Sequence, residues 1–311
     1  MALKHLVNSM DIDKKGYDEI VRRGIKFIHE GIQGDVLKNK IVSTLFFQPS
    51  TRTMISFQSA VIRGGGGWIG VSGTSGLSME KGESLEDTIK SFSDASDCIV
   101  LRHGDDDSAD RAAKVAHVPV INAGSGSREH AVAAAMMLVL LAKYMKQPLQ
   151  GARIGVYGTP QINRCMKALA PILGLYNVDL YIDDLGHFPL PDDVEKITRE
   201  NGIKNIMYGK LDEFIGEIDS LLVTRALQKG IIPEDEFPQE KQDEIMKNFI
   251  PLNIDHVQKM REDATVFMIK PLIFEVDKSV DGDSRAVYTK PEPWAECALA
   301  VMTYLLGIRI D

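Results

Sequence analysis

Three cysteines in 311 residues, Cys98, Cys165 and Cys297, lie far apart with no paired spacing. That excludes a disulfide framework and the Cys/His patterns of zinc sites, and it suits a reducing compartment. Basic charge is also scarce: Lys and Arg number 36 against 44 Asp and Glu, for a formal net charge of −8. A duplex-binding protein normally carries a basic balance or stripe, so nucleic acid is excluded as a partner. The longest apolar run, Ala131 to Ala142, falls short of the roughly 20 residues that a bilayer-spanning helix needs. The amino-terminal stretch is charged from Lys4 onward and lacks the apolar core of a signal peptide. No membrane association is expected, and the location expected is cytoplasmic. Internal repeats, low-complexity stretches and long charge runs are missing too.

What is present is alternation. Lys40–Phe47, Gly67–Ser72, Asp97–Arg102 and Val118–Ile121 read as strands. Between them lie segments with helical spacing, such as Leu85, Ile89 and Phe92 at i, i+4 and i+7. A second group of strands follows at Arg153–Gly158, Val178–Ile182, Ser220–Arg225 and Ala264–Ile269. Strands alternating with helices predict α/β architecture with parallel sheets. The Ala/Met/Leu-rich segment Glu129–Lys146 stands between the two groups, and Pro148 and Gly151 end it. It predicts a long helix linking two domains, and the apolar segment Pro293–Gly307 predicts a helix that returns to the first. The expected domains are 1–132 with the returning 290–311, and 133–289.

The first motif that carries chemistry lies in IVSTLFFQPSTRTMISFQSAVIR, residues 41–63. An apolar strand ends at Gln48-Pro49, and a helix begins near Thr51 with Met54, Phe57 and Val61 on one face. Ser50, Thr51, Arg52 and Thr53 therefore stand where a strand's carboxyl end meets a helix's amino terminus. Free backbone N–H groups there attract an anion, and hydroxyls plus a guanidinium strengthen the grip. The plainer reading is a Ser/Thr-capped helix with a solvated arginine. Spacing alone leaves the two about even.

The motif Pro-Ser-Thr-Arg-Thr resembles the carbamoyl-phosphate loop of the aspartate/ornithine carbamoyltransferase family. Three further segments agree in order and spacing. Ser78-Met79-Glu80-Lys81-Gly82-Glu83 resembles the family's mobile loop with its lysine, and Leu101-Arg102-His103 a strand end that carries an arginine to the carbamoyl group. Asn122-Ala123-Gly124-Ser125-Gly126, followed by His130, resembles the loop that opens the linking helix. The likeness continues through Val223-Thr224-Arg225 and covers most of the chain.

The resemblance implies attack by an amine on carbamoyl phosphate, with no metal and no cofactor, in pyrimidine biosynthesis. Ser50, Thr51, Arg52 and Thr53 would hold the phosphate, and Thr53, Arg102 and His130 would polarise the carbonyl oxygen. Ser78 and Lys81 would come from a neighbouring subunit of a homotrimer with shared sites. A regulatory or partner chain is compatible with that assembly. Read without the motifs, Lys81 is a solvated loop lysine and His130 a helix-terminus histidine. Arg102 is then a strand-end charge facing Asp105 or Asp106.

On the acceptor side, Arg164 and Arg225 stand at or soon after predicted strand ends, where α/β sheets bind ligands. They match the two arginines that aspartate-using members bring to the acceptor's carboxylates. Gln228 and the segment Lys270-Pro271-Leu272 complete the acceptor set. The acidic and Ser-Met-Gly pattern of ornithine-using members is missing, which favours an acceptor bearing carboxylates.

Four positions depart from the family pattern. Ala133 stands where the linking helix usually carries glutamine. Ile273 replaces the second proline of His-Pro-Leu-Pro, which supports a cis bond. Met54 replaces an arginine, and Gln228 lies one position further from Arg225. Two readings stay open: a carbamoyltransferase using aspartate or a related amine, and a non-catalytic paralogue that binds a metabolite or supports an active chain.

Overall fold

The computed structural model describes residues 3–74, 81–227 and 237–310. The chain divides into two compact units. One takes the chain through Leu140 and again from Pro293, and the other runs Leu141–Glu292.

The first unit opens with α1 (Lys14–Glu30), capped by Asp13, whose carboxylate accepts from Gly16 N. Then follow β1 (Ile41–Phe46), α2 (Thr51–Arg63), β2 (Gly67–Ser72), α3 (Leu85–Ala95), β3 (Cys98–His103), α4 (Ser108–Val115) and β4 (Val120–Ser125). The four strands form one parallel sheet in the order β2-β1-β3-β4. The crossover from β1 to β2 runs one way and the later ones run the other way. Right-handed connection therefore puts α2 on one face and α3 and α4 on the opposite face. On the second face Leu45, Ile99, Leu101 and Val120 of the sheet bury Ile89 and Ala112 of the helices. The last helix, α11 (Trp294–Leu305), packs on α1 and α2.

Helix α5 (Ala131–Tyr144) carries the chain across the division at Leu140. Its apolar residues are buried around nearly the whole circumference, so it shows no polar stripe.

The second unit contains β5 (Arg153–Tyr157), α6 (Arg164–Gly174), β6 (Asp179–Asp183), α7 (Asp192–Glu200), β7 (Ile206–Tyr208) and α8 (Leu211–Phe214). After them come β8 (Ser220–Val223), α9 (Gln239–Asn248), α10 (Ile254–Lys259) and β9 (Thr265–Met268). Its parallel sheet has the order β7-β6-β5-β8-β9. Leu221, Val223 and Val266 pack there against Leu211, Phe214, Val257 and Met260.

Two differences from the sequence reading have plain causes. Strand β4 runs on through Asn122–Ser125, residues that read as loop. The buried Asn122 supplies the polar bonds that make this tolerable: its Nδ2 donates to Val7 O (2.8 Å) and Ser125 Oγ (2.9 Å), and its Oδ1 accepts from Gly124 N (2.8 Å). Strand β7 was not expected, because a three-residue edge strand holds too few residues to show a period.

Candidate active site

In an open parallel sheet, ligands bind beyond the strands' carboxyl ends where the strand order reverses. In the first sheet that point lies between β1 and β3. Phe46 is in register with Arg102, and Phe47 N donates to Arg102 O (2.9 Å). The chain leaving β1 turns through Pro49 and Ser50 into α2, so the Ser50–Thr53 segment and Arg102 lie at the same switch point.

Ser50 is the N-cap residue of α2, yet its side chain makes no capping bond. The plainer reading of the motif needs that bond. Instead, the hydroxyl and the first N–H groups of α2 are left to a ligand or to water. Thr51 and Arg52 are exposed on this turn. Thr53 Oγ1 lies 3.4 Å from His130 Nε2, which joins two residues 77 positions apart. Arg102 Nη1 donates to Ala123 O (3.0 Å). The aspartates considered as partners for it are engaged elsewhere: Asp105 accepts from Arg111 (3.2 Å), and Asp106 from Ser127 N (2.6 Å).

Glu129, the residue before His130, is buried and accepts from Ser9 N (3.0 Å) and Ser9 Oγ (3.1 Å). Burial raises its pKa, and the two Ser9 bonds partly offset the shift. Lys81 is exposed at the head of the segment leading into α3, and Ser78 lies outside the described residues.

The second sheet's switch point lies between β5 and β8. Arg164 is the first residue of α6, the helix after β5, and Arg225 lies two residues beyond β8. Two threonines to which the sequence reading gave no role bind these segments together. Thr159 N donates to Thr224 Oγ1 (2.9 Å), Thr159 Oγ1 donates to Arg225 O (2.6 Å), and Thr224 N donates to Tyr157 O (2.8 Å). The approach is close enough to require glycine at 158, where φ is +127° and a Cβ would stand 2.3 Å from Thr224 Oγ1. A Gly-Thr pair following a strand is the signal that could have shown this.

Glu275 was also missed. It is fully buried, and its carboxylate accepts from Ile273 N (2.6 Å), Phe274 N (3.1 Å) and Ala226 N (3.2 Å). A glutamate among apolar neighbours carries no sequence signal of its bonds to distant backbone. Lys270 pairs with Glu292 (2.9 Å), Pro271 is exposed, and Leu272 packs on the unit's core. The cis peptide bond lies at Lys270–Pro271, ahead of the position where Ile273 replaces the family's proline. Gln228 lies outside the described residues.

No group of three or more His, Cys, Asp or Glu among the described residues is arranged to hold a metal ion. Nor is any described helix long and apolar enough to cross a membrane. All three cysteines are free and buried, and burial pushes the thiols of Cys98 and Cys165 up to about 12.

Two parallel-sheet units, each with arginines at its switch point, define an α/β protein suited to anionic substrates. Comparison with known proteins narrows that class. Residues 4–139 match the family described as aspartate/ornithine carbamoyltransferase, carbamoyl-P binding domain. The aspartate carbamoyltransferase catalytic subunit of Thermococcus kodakarensis is 37% identical over 254 residues, spanning 82% of this chain and 80% of that one. The crystallised catalytic subunit of M. jannaschii aspartate transcarbamoylase superposes with a TM-score of 0.84 at 30% identity, covering 98% of this chain and 99% of that one. The Trypanosoma cruzi aspartate transcarbamoylase structure holding carbamoyl phosphate and aspartate gives 0.84 at 25% identity, over 98% and 96%. The chain belongs to the aspartate/ornithine carbamoyltransferase family, and its resemblance is to the aspartate carbamoyltransferase catalytic chains.

Proposed function

We propose that this protein transfers the carbamoyl group of carbamoyl phosphate to the amine of L-aspartate or a related carboxylate-bearing amine, releasing inorganic phosphate. The observation that carries the reading is the first switch point, where an uncapped helix start, Arg52, Arg102 and the Thr53–His130 pair converge. The unit holding it is the carbamoyl-phosphate domain in this reading, and the second unit is the acceptor domain.

Chemically, the amine lone pair attacks the carbonyl carbon, and the C=O π pair moves onto oxygen. Collapse of the tetrahedral intermediate breaks the bond to the phosphate oxygen, and the amine's extra proton leaves with the phosphate. Negative charge develops on the carbonyl oxygen and on the leaving group, so fixed donors and cations lower the barrier. Ser50, Thr51, Arg52 and Thr53 hold the phosphate, with Arg52 neutralising its departure. Thr53, Arg102 and His130 face the carbonyl oxygen. Arg164 and Arg225 take acceptor carboxylate, supported by Gln228 and the Lys270-Pro271-Leu272 segment. Because the Lys270 ammonium is paired with Glu292, it offers the acceptor only its remaining N–H donors.

Ser78 and Lys81 reach the site from a neighbouring subunit of a homotrimer, and the protein acts in the cytoplasm. The non-catalytic alternative rested on Ala133 and Ile273. Similarity to catalytic subunits along nearly the full chain speaks for catalysis instead.

The test is turnover. Wild type should release phosphate from carbamoyl phosphate in the presence of an amine. Arg52→Ala should weaken binding of a phosphonate analogue by about tenfold or more, since a charge-assisted contact contributes about 1.5–3 kcal/mol. Lys81→Ala and Arg52→Ala chains, each inactive alone, should regain partial activity when mixed and reassembled. Active wild type without such recovery places the whole site within one chain. Absence of turnover with every amine refutes the transferase reading.

A further inference from the structure

The acceptor side of the second unit has a feature that the transfer chemistry does not use. The Glu275 carboxylate joins two segments: one oxygen accepts from Ala226 N, next to Arg225, and the other from Ile273 N and Phe274 N. The backbone at 273–274 is therefore fixed within the width of a carboxyl group from the Arg225–Ala226 segment. Yet the side chains on this fixed backbone are large and apolar, with Ile273 73% exposed and Phe274 39% exposed. Phe274 meets Phe249 edge-on at 5.8 Å, Phe249 stacks on Tyr157 at 5.3 Å, and the adjoining Ile250 is 58% exposed.

Single exposed apolar residues are ordinary. A contiguous group beside an arginine at a switch point is not, because every Å² of it left in water has a cost that a bound apolar group would remove. The nearby cation Lys270 is paired with Glu292, so this segment brings no bare ammonium to the apolar wall.

We infer that the acceptor is a carboxylate-bearing amine with an apolar substituent larger than the aspartate side chain, and that Ile273 and Phe274 select it. The inference rests on the acceptor role given above to Arg225. The carboxylate binds at Arg225, and the substituent lies across Ile273 and Phe274. Glu275 acts as the positioning residue that holds the wall beside the arginine. Covering roughly 55 Å² of apolar surface is worth about tenfold in affinity, which sets the effect to be read.

The experiment titrates L-aspartate, L-leucine and L-phenylalanine calorimetrically into the full-length protein saturated with inorganic phosphate, then repeats the series as carbamoyl phosphate turnover. Leucine or phenylalanine should bind wild type at least about tenfold more tightly than aspartate. Phe274→Arg should move that ratio tenfold or more toward aspartate, and Ile273→Ser should move it several-fold the same way. Ile273 is 73% exposed, so Ile273→Ser keeps the wild-type melting temperature and controls for loss of the Phe274–Phe249 contact in Phe274→Arg. Preference for aspartate in wild type overturns the inference and leaves carbamoyl transfer standing. So does a ratio unmoved by both variants, which assigns the apolar wall to a macromolecular partner. Failure of all three amines to bind also overturns the inference. Tight, Phe274-dependent binding of the apolar amines without phosphate release supports it and refutes the transferase reading instead.

Discussion

Replacing Glu275 by alanine tests how the second switch point is held together. The carboxylate is fully buried and accepts three backbone N–H groups from two segments about fifty residues apart in sequence. In Glu275→Ala, the N–H groups of the exposed residues Ile273 and Phe274 can turn to water. The N–H of the buried Ala226 loses its acceptor. An orphaned buried donor costs about 1–3 kcal/mol, and bonds to a charged acceptor contribute about 1.5–3 kcal/mol. Allowing for water at two of the three groups, the variant should lose roughly 2–4 kcal/mol. Glu275→Gln keeps one acceptor oxygen but turns an amide NH₂ toward a backbone donor, so its loss should fall between. The assay is hydrogen exchange by mass spectrometry on peptides covering residues 224–227 and 270–276. The alanine variant should exchange there about 30-fold faster or more, with protection in β1 and β3 unchanged. Exchange within threefold of wild type in both peptides would mean that Glu275 does not connect the segments.

Other predictions follow from single contacts. Gly158→Ala forces a Cβ to 2.3 Å from Thr224 Oγ1 at a φ of +127°, and it should lower stability by roughly 1–3 kcal/mol; an unchanged thermal midpoint refutes this. The hydrogen bond from Arg111 holds the Glu86 carboxyl down at about 2. A carboxyl lowered on folding stabilises above its unfolded pKa, near 4.5, and that contribution fades as pH falls toward 2. Arg111→Ala should therefore cost stability at pH 7 and progressively less below pH 4. Both side chains are about one-third exposed, so the effect should stay below about 1 kcal/mol, and an equal cost at both pH values refutes it.

Reading from sequence to structure succeeded where periodicity was strong and failed where distant contacts decided. The strands β1, β2, β5 and β9 and the helices α5 and α11 are long or apolar enough for local pattern to set their type. The start of α2 at Thr51 was legible too, because Pro49 and Ser50 mark a strand-to-helix turn. Strand β4 was cut short because Asn122-Ala123-Gly124-Ser125 has loop composition, and only its bonds to Val7 and within the strand show it to be extended. The bonds of Glu275, Thr159 and Thr224 were not foreseen because a buried polar side chain gives no sign of its partner.

The sequence by itself determined the parallel α/β class, and it placed the Ser50–Thr53 motif at a strand-to-helix turn and Arg164 and Arg225 at or soon after strand ends, since each of these follows from local pattern. Only the tertiary structure decided the strand orders, and with them that Arg52 and Arg102 belong to one switch point and Arg164 and Arg225 to another. It alone set Thr53 against His130, pinned Arg225 to Thr159, and fixed Ile273 and Phe274 beside Ala226 through Glu275. The physical reason is range. Propensity and periodicity act along a few turns of chain, whereas these side-chain contacts join residues 49 to 77 positions apart and form only once the sheets have assembled.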